Sequence, residues 1–268
     1  MHIKTVDEGR RHRRELWIDD DTQVADLSVI DYTMRIGTAE VRMAGIGGVY
    51  TEREHRMKGY MRHLFEDTVT YMAGEGYDVS MLFGISNFYN KFGYATCLAN
   101  YRVSVKTRDA EAAGAQASAL KPRPVTSEDM PRLVALYTAE NATRTGTVLR
   151  DPDDFTKFPH GTEWEAATEA VLWEDARGDL LGYLVYDRNR TAVIVAEVGG
   201  RQPALLPSVL AYLAEQAVEK RCEAVEAVIP PDHAFAEYLQ RFGCTWEIRY
   251  PRYADGMMRI MNQDTLFE

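Results

Sequence analysis

The sequence predicts an α/β (α+β) chain of two similar domains in tandem. Each is a mixed, mostly antiparallel sheet flanked by helices, with a central parallel strand pair. Three observations predict this. Short runs alternate apolar and polar residues with the period of a half-buried strand, as in Ile30, Tyr32, Met34 and Ile36 against Asp31, Thr33 and Arg35. Twice an apolar run, a long helical pattern, a second apolar run and a short helix follow one another, and each series ends in Phe-Gly, at Phe92-Gly93 and at Phe242-Gly243. The length of 268 residues suits two domains.

In chain order, residues 17–30 are β-rich around an acidic turn at Asp19–Asp21. Gly37-Thr38 turns a hairpin whose return strand, Ala39–Tyr50, grows apolar towards its end. A helix starts near Arg56–Gly59, with Tyr60, Leu64, Val69 and Met72 as its apolar stripe, and stops at Gly74 and Gly76. Val79–Phe83 returns as a strand parallel to the one before the helix, since a crossover of this length joins parallel neighbours. Asn87 caps a short helix that Gly93 ends, and Ala99–Lys106 is the next strand. Residues 108–121 are Ala-rich and aperiodic and read as a linker. The expected domains are therefore 1–107 and 122–268. In the second, Ser127 caps a helix reaching Glu140, and an antiparallel meander covers 170–198. A helix spans 205–218, a strand 224–229 and a short helix 235–242. Strands 245–252 and 256–261 close the domain.

Composition narrows the function. The chain is 46% hydrophobic and 27% charged, with a formal net charge of -10. That balance argues against nucleic-acid binding, which needs basic surface, and is compatible with a cationic acceptor such as an amine. The basic cluster Arg10–Arg14 reads as a solvated helix or loop. Three scattered cysteines form no metal-ligand pair and suit a reducing, cytoplasmic setting; no metal is expected. No apolar run reaches the length of a membrane span, and the N-terminus lacks the apolar core of a signal peptide. The sequence is compatible with a homo-oligomer.

The chemistry concentrates in Gly45–Tyr94. At His55-Arg56-Met57-Lys58-Gly59-Tyr60-Met61-Arg62-His63 a basic turn meets a helix start. Unpaired N–H groups and the helix dipole make an anion site there, and Gly59 permits close backbone approach. The alternative is an ordinary surface helix start. Thirty residues after Gly59 stands Tyr89, whose phenol, with an ordinary pKa of about 10, can protonate a leaving thiolate at neutral pH. An amide near Val49, at the end of the apolar strand, can stabilise the oxyanion formed when an amine attacks a thioester. The alternative for Tyr89 is a packed core aromatic.

Together, Arg56-x-x-Gly59-x-Met61 and Tyr89-Asn90-Lys91-Phe92-Gly93-Tyr94 resemble the two cofactor motifs of the GNAT superfamily of N-acetyltransferases. The tandem halves, only the first with those motifs, look most like the Eis-type (enhanced intracellular survival) members. The resemblance implies acetyl-CoA as co-substrate. Backbone groups of Val49, Tyr50 and Thr51 would meet its pantetheine arm and acetyl group. Arg56 and the amides of Met57, Lys58, Gly59, Tyr60, Met61 and Arg62 would cradle the pyrophosphate. Asn87 would also contact the cofactor, and Tyr89 would be the general acid. The acceptor would be a primary amine on an aminoglycoside- or polyamine-like molecule, a small metabolite or a protein lysine.

The chain departs from the family pattern in places. Met61 stands where Gly or Ala is usual and Met57 where many members have Gly, so side chains could crowd the phosphates. The stretch before Trp17 is short for the two helices usual there. Residues 257–268 resemble only the entrance to the third, sterol-carrier-like domain of Eis-type enzymes, whose C-terminal carboxylate is their base; a shortened or truncated form is expected. Asp26, Asp31 and Glu40 are the candidate bases on nearby strands, beside a water relay, while His55 and His63 flank the turn. A catalytically inactive acyl-CoA sensor or scaffold is the rival reading.

Overall fold

The computed structural model describes residues 1–117, 120–153, 155–158, 161–162, 167–200 and 202–266. They form two compact units: residues 1–99, 142–149 and 250–268, and residues 100–141 and 150–249.

The first unit is built on a sheet of seven strands. In chain order these are β1 (His2–Asp7), β2 (Arg11–Trp17), β3 (Gln23–Ile36), β4 (Ala39–Thr51), β5 (Val79–Gly84), β6 (Ala95–Thr96) and, from the far end of the chain, Asp255–Ile260. Their order across the sheet is β1-β2-β3-β4-β5, then 255–260, then β6. Successive hairpins make β1 to β4 antiparallel. Helix α1 (Tyr60–Gly74) crosses over so that β5 runs parallel to β4. The helix buries Leu64, Phe65, Thr68 and Met72 against Leu16, Leu27, Val29 and Ala44 of the sheet. Tyr60 and Val69 are only half-buried, so the buried stripe is turned by about one residue from the expected one. Residues 146–149 pair antiparallel with the end of β3 at Thr33–Arg35, with Met34 bridging to Val148, and Val148 packs with Met34, Val41 and Met43 on the face opposite α1.

Residues Arg10–Arg14, expected as solvated helix or loop, correct to strand. Arg11 to Arg14 lie in β2, and Arg14 is buried with its guanidinium on Asp67 and over the ring of Tyr71. The alternation His12, Arg14, Leu16 puts Arg14 on the core side, where its long stem packs and its head reaches a carboxylate.

The second unit repeats the plan. Its sheet contains β7 (Asn100–Lys106), β8 (Arg123–Pro124), β9 (Glu169–Glu174), β10 (Leu180–Arg188), β11 (Ala192–Gly199), β12 (Ala224–Ala227) and β13 (Thr245–Arg249), in the order β13-β7-β12-β11-β10-β9-β8. β12 runs parallel to β11 after the crossover helix Leu206–Glu219. Ser127 does not cap the helix Met130–Glu140: Thr126 caps the preceding turn Ser127–Asp129 in a reciprocal pair with Asp129, and the helix follows with no side-chain cap of its own. Within the expected linker, residues 108–116 are structured. Helical turns Thr107–Ala110 and Glu111–Gln116 bury Ala110 and Ala113 in the core of this unit, small side chains letting the turns approach the crossover helix. The strand at 100–106 lies in the second sheet and the strand at 255–260 in the first, each across the boundary drawn from the sequence.

Candidate functional site

The parallel ladder between β4 and β5 is short. Met43, Ala44 and Gly45 pair with Val79, Ser80 and Met81, and there the pairing ends, although β4 continues to Thr51 and β5 to Gly84. Beyond Gly45 the strands form a fork with unused backbone groups on its inner edges. One device sharpens it. Between Ser28↔Gly47 and Asp26↔Tyr50, two residues of β4, Gly48 and Val49, oppose one of β3. Gly48 takes the left-handed φ of +61° that such a bulge uses, and a bulge re-aims the amides that follow. Ile46 and Val49 consequently both pack towards the α1 side, despite their odd spacing.

After Thr51 the chain makes a single turn at Arg53–His55 and reaches α1 through Arg56–Gly59. Arg56 ties this turn down: its Nε donates to the carbonyl of Thr51 at 3.1 Å, and its guanidinium lies 5.9 Å above the ring of Tyr50. Met57 and Gly59 have φ of +62° and +84°, and a Cβ on Gly59 would meet nothing within 4 Å. No side chain caps α1, so the N–H groups of its first turn point outwards unpaired. Met57 and Lys58 are exposed, as is Arg62. Met61 packs inwards against the α1 core and Met57 projects fully into solvent, so neither crowds the amides.

Tyr89 opens the single turn Tyr89–Phe92, which Gly93 ends at φ +80°. Its ring sits among Phe65, Phe88 and Tyr94, with centroids 5.3, 4.9 and 6.5 Å away. The residue is buried, yet its hydroxyl has no hydrogen-bond partner among the described residues and is not a sealed polar atom. Burial raises its pKa above the ordinary phenol value, which keeps the proton on. Gly84, at the tip of β5, is the close neighbour that makes room: any side chain there would collide with the Tyr89 ring. Sequence reasoning passed over Gly84; a glycine ending an apolar strand just before an aromatic is the signal of close approach. It also passed over Ser80, whose hydroxyl joins the carbonyl of Ala44 at 2.9 Å to the hydroxyl of Tyr94 at 2.6 Å, locking the base of the fork. Burial pushes the Tyr94 phenol up to about 12.

Other expected residues are engaged elsewhere or differ from their expected local roles. Asn87 caps nothing: the turn begins after Phe88, with no side-chain cap, while Asn87 is exposed at φ +61° and its amide donates to Tyr253. Its left-handed backbone precludes the N-cap conformation. The three carboxylates are all engaged. Asp26 accepts from Arg13 Nε and Gln23 Nε2, both at 3.3 Å. Glu40 faces Arg35 at 3.7 Å. Asp31 accepts from the Tyr77 hydroxyl at 2.5 Å and His12 at 3.1 Å. Burial pushes its pKa up, but those hydrogen bonds and the charges of His12 and Arg42 outweigh burial, and the carboxyl lies below its usual value. His55 stands beside Tyr60, 6.0 Å between rings, and His63 is exposed on α1.

Comparison with known proteins agrees with this geometry. Residues 5–97 match the family of acetyltransferase (GNAT) domains. No curated protein matches the chain. Among solved structures, a GCN5-related N-acetyltransferase from Kribbella flavida superposes with a TM-score of 0.71 at 20% identity, over 94% of this chain and 60% of its own. One from Anabaena variabilis gives 0.72 at 19%, over 93% and 63%. An Eis protein from Mycobacterium abscessus gives 0.63 at 16%, over 97% and 66%. The chain thus spans less than two thirds of the length of each. At these identities the likeness is one of fold, and it extends over both sheets, as tandem GNAT-like folds. The likeness to acetyltransferase (GNAT) domains at the level of sequence is carried by residues 5–97.

Proposed function

We propose that the chain is an acetyl-CoA-dependent N-acetyltransferase acting on a primary amine, with Tyr89 as general acid. The observation that carries this is one juxtaposition. An open β4–β5 fork lies between an uncapped helix start and a phenol laid over Gly84. The residues fit an acyl-CoA. Unpaired amides of Met57 to Arg62 suit a pyrophosphate, and the bulged edge at Gly48–Val49 leaves backbone groups for an extended arm. The Thr51 carbonyl is already taken by Arg56, so Val49 and Tyr50 carry more of that pairing.

In this reading the neutral amine attacks the thioester carbonyl. An N–H of the bulged strand end receives the developing oxyanion. As the C–S bond breaks, Tyr89 passes its proton to the leaving thiolate and regains one from solvent. With Asp26, Asp31 and Glu40 held in ion pairs, water carries the proton from the amine. Three free cysteines are consistent with a cytoplasmic protein. The test is calorimetry with acetyl-CoA, joined to a thiol-release assay over a panel of amines. Saturable binding with amine-dependent thiol release is expected. Binding without release of thiol for any amine would favour an acyl-CoA sensor instead.

A further inference from the structure

The fork has two faces. Tyr89, above Gly84, and α1 occupy one. On the other, β3 provides the cover. A Cβ built on Gly45 would come within 2.7 Å of Cε2 of Tyr32, so that ring lies flat across the glycine. Ile30 covers Gly47 in the same way, its Cδ1 3.7 Å from the Cβ position. Gly45 pairs with Met81 in the last rung of the ladder, which puts Tyr32 where the strands part. On the same face, two residues beyond Met81, stands Phe83, 75% exposed, and the strand 255–260 sets Met258 beside Met81. The Tyr32 hydroxyl has no partner among the described residues. With glycine at 45 and 47, the floor is bare backbone under aromatic and aliphatic walls.

Two carboxylates of this face, Glu15 and Asp26, are already engaged. Glu15 accepts from Trp17 Nε1 at 3.1 Å and faces Arg13 at 3.5 Å; Asp26 is held by Arg13 and Gln23. Arg11, on Ser28 Oγ at 2.9 Å, adds a second guanidinium to the row. These two acids are matched by two bases, and Glu52, which accepts from the Tyr50 hydroxyl at 3.3 Å, is exposed to solvent, so a polycation would find no buried counter-charge along this wall.

We infer that the acceptor is a primary amine carried on a flat apolar body, as in an arylalkylamine. It enters on the sheet face opposite α1, and Tyr32 is the specificity-determining residue against which its body packs. This rests on the transferase reading above and selects among its acceptors. An aromatic pair contributes beyond its burial, and an apolar wall favours the neutral amine that attacks.

The experiment measures kcat and KM of the full chain with acetyl-CoA and either 2-phenylethylamine or spermidine. The expected kcat/KM is at least about tenfold higher for 2-phenylethylamine, a gap of about 1.4 kcal/mol. Tyr32→Ala should raise KM for 2-phenylethylamine about fivefold or more, the size of one lost aromatic contact. It should leave the acetyl-CoA Kd alone, and Tyr32→Phe should restore most of the loss. A preference for spermidine, or a Tyr32→Ala change that is equal for both amines, overturns the inference. If no amine turns over, the transferase reading fails separately. Calorimetry of 2-phenylethylamine on the CoA-loaded chain then decides: binding that Tyr32→Ala abolishes supports the acceptor face, and no binding overturns it.

Discussion

In the first unit, α1 begins at Tyr60 behind a glycine with nothing near its Cβ position, and the residues before it are exposed. In the second, the crossover helix Leu206–Glu219 begins behind Leu205, and Leu205, Leu206, Pro207 and Ser208 are all buried. Both helices cross between parallel strands, and both units follow with a helical turn ended by a left-handed glycine, Gly93 or Gly243. The β11–β12 ladder also stops early, at Val195↔Ala227, while β11 runs on to Gly199. Here the end of β11 is covered. Side chains at Gly182 or Gly200 would collide with Leu205, and the Gly200 amide donates to the Glu140 carboxylate at 3.0 Å. Pro207 has no N–H to offer. One scaffold thus carries an open fork in one copy and a plugged one in the other, so chemistry follows from what fills the fork and not from the fold.

The largest effect that would break this contrast is expected at Tyr89. Tyr89→Phe keeps the ring over Gly84 and removes the proton. We expect kcat to fall by about 10²-fold or more, the usual contribution of a general acid, with acetyl-CoA affinity held within about twofold. Steady-state kinetics with calorimetry checks both, and unchanged turnover removes Tyr89 from the mechanism. Because burial raises its pKa, the wild-type profile should show no loss of this acid until above the ordinary phenol value of about 10. The next effect sits in the plugged copy. Leu205 is 2% exposed, and Leu205→Ala should cost about 2–5 kcal/mol in denaturant unfolding. Acetyl-CoA stoichiometry should stay at one per chain, since the Glu140 contact and Pro207 remain.

Much of this contrast was legible in the sequence. Gly59 in the basic turn reads as a candidate anion site, Tyr89 before Phe92-Gly93 as a candidate acid, and only the first half carries these motifs. What was not legible depended on pairing. Gly48–Val49 becomes a bulge only when set against Leu27 of β3, and Gly84 and Gly45 matter because the Tyr89 and Tyr32 rings lie across them. Arg14 read as solvent-facing until strand alternation turned it inwards. The strands at 100–106 and 255–260 read as neighbours of their own sequence segments. Their partners are more than a hundred residues away, which local periodicity does not encode.

A smaller effect separates the two left-handed glycines. Gly59 and Gly243 have φ of +84° and +71°, and neither has an atom within 4 Å of its Cβ position. Valine at either place suffers only backbone strain, about 1–2 kcal/mol. Thermal unfolding should report similar losses for Gly59→Val and Gly243→Val. Calorimetry should differ: only Gly59→Val should weaken acetyl-CoA, because relief of its strain turns the amides at the start of α1. Equal acetyl-CoA affinity in both variants would show that these amides do not bind the phosphates.

The smallest effect expected is none, and it tests the reason for the silence of the second copy. Leu239 occupies the place before Gly243 that Tyr89 holds before Gly93, and it is fully buried. If the missing phenol alone had silenced this copy, Leu239→Tyr in a Tyr89→Phe background would restore some turnover. The plugged fork says otherwise. Leu205 fills the space beside Gly182 and Gly200, Glu140 holds the amide that follows β11, and the residues opening the crossover helix, Leu206, Pro207 and Ser208, are buried. A phenol placed there has no thioester to protonate. The double variant should therefore stay at the Tyr89→Phe rate, with circular dichroism confirming that the larger side chain, a cost of about 1–3 kcal/mol, leaves the chain folded. Recovered turnover would mean that the second fork admits acetyl-CoA despite Leu205 and that one residue had separated the two copies.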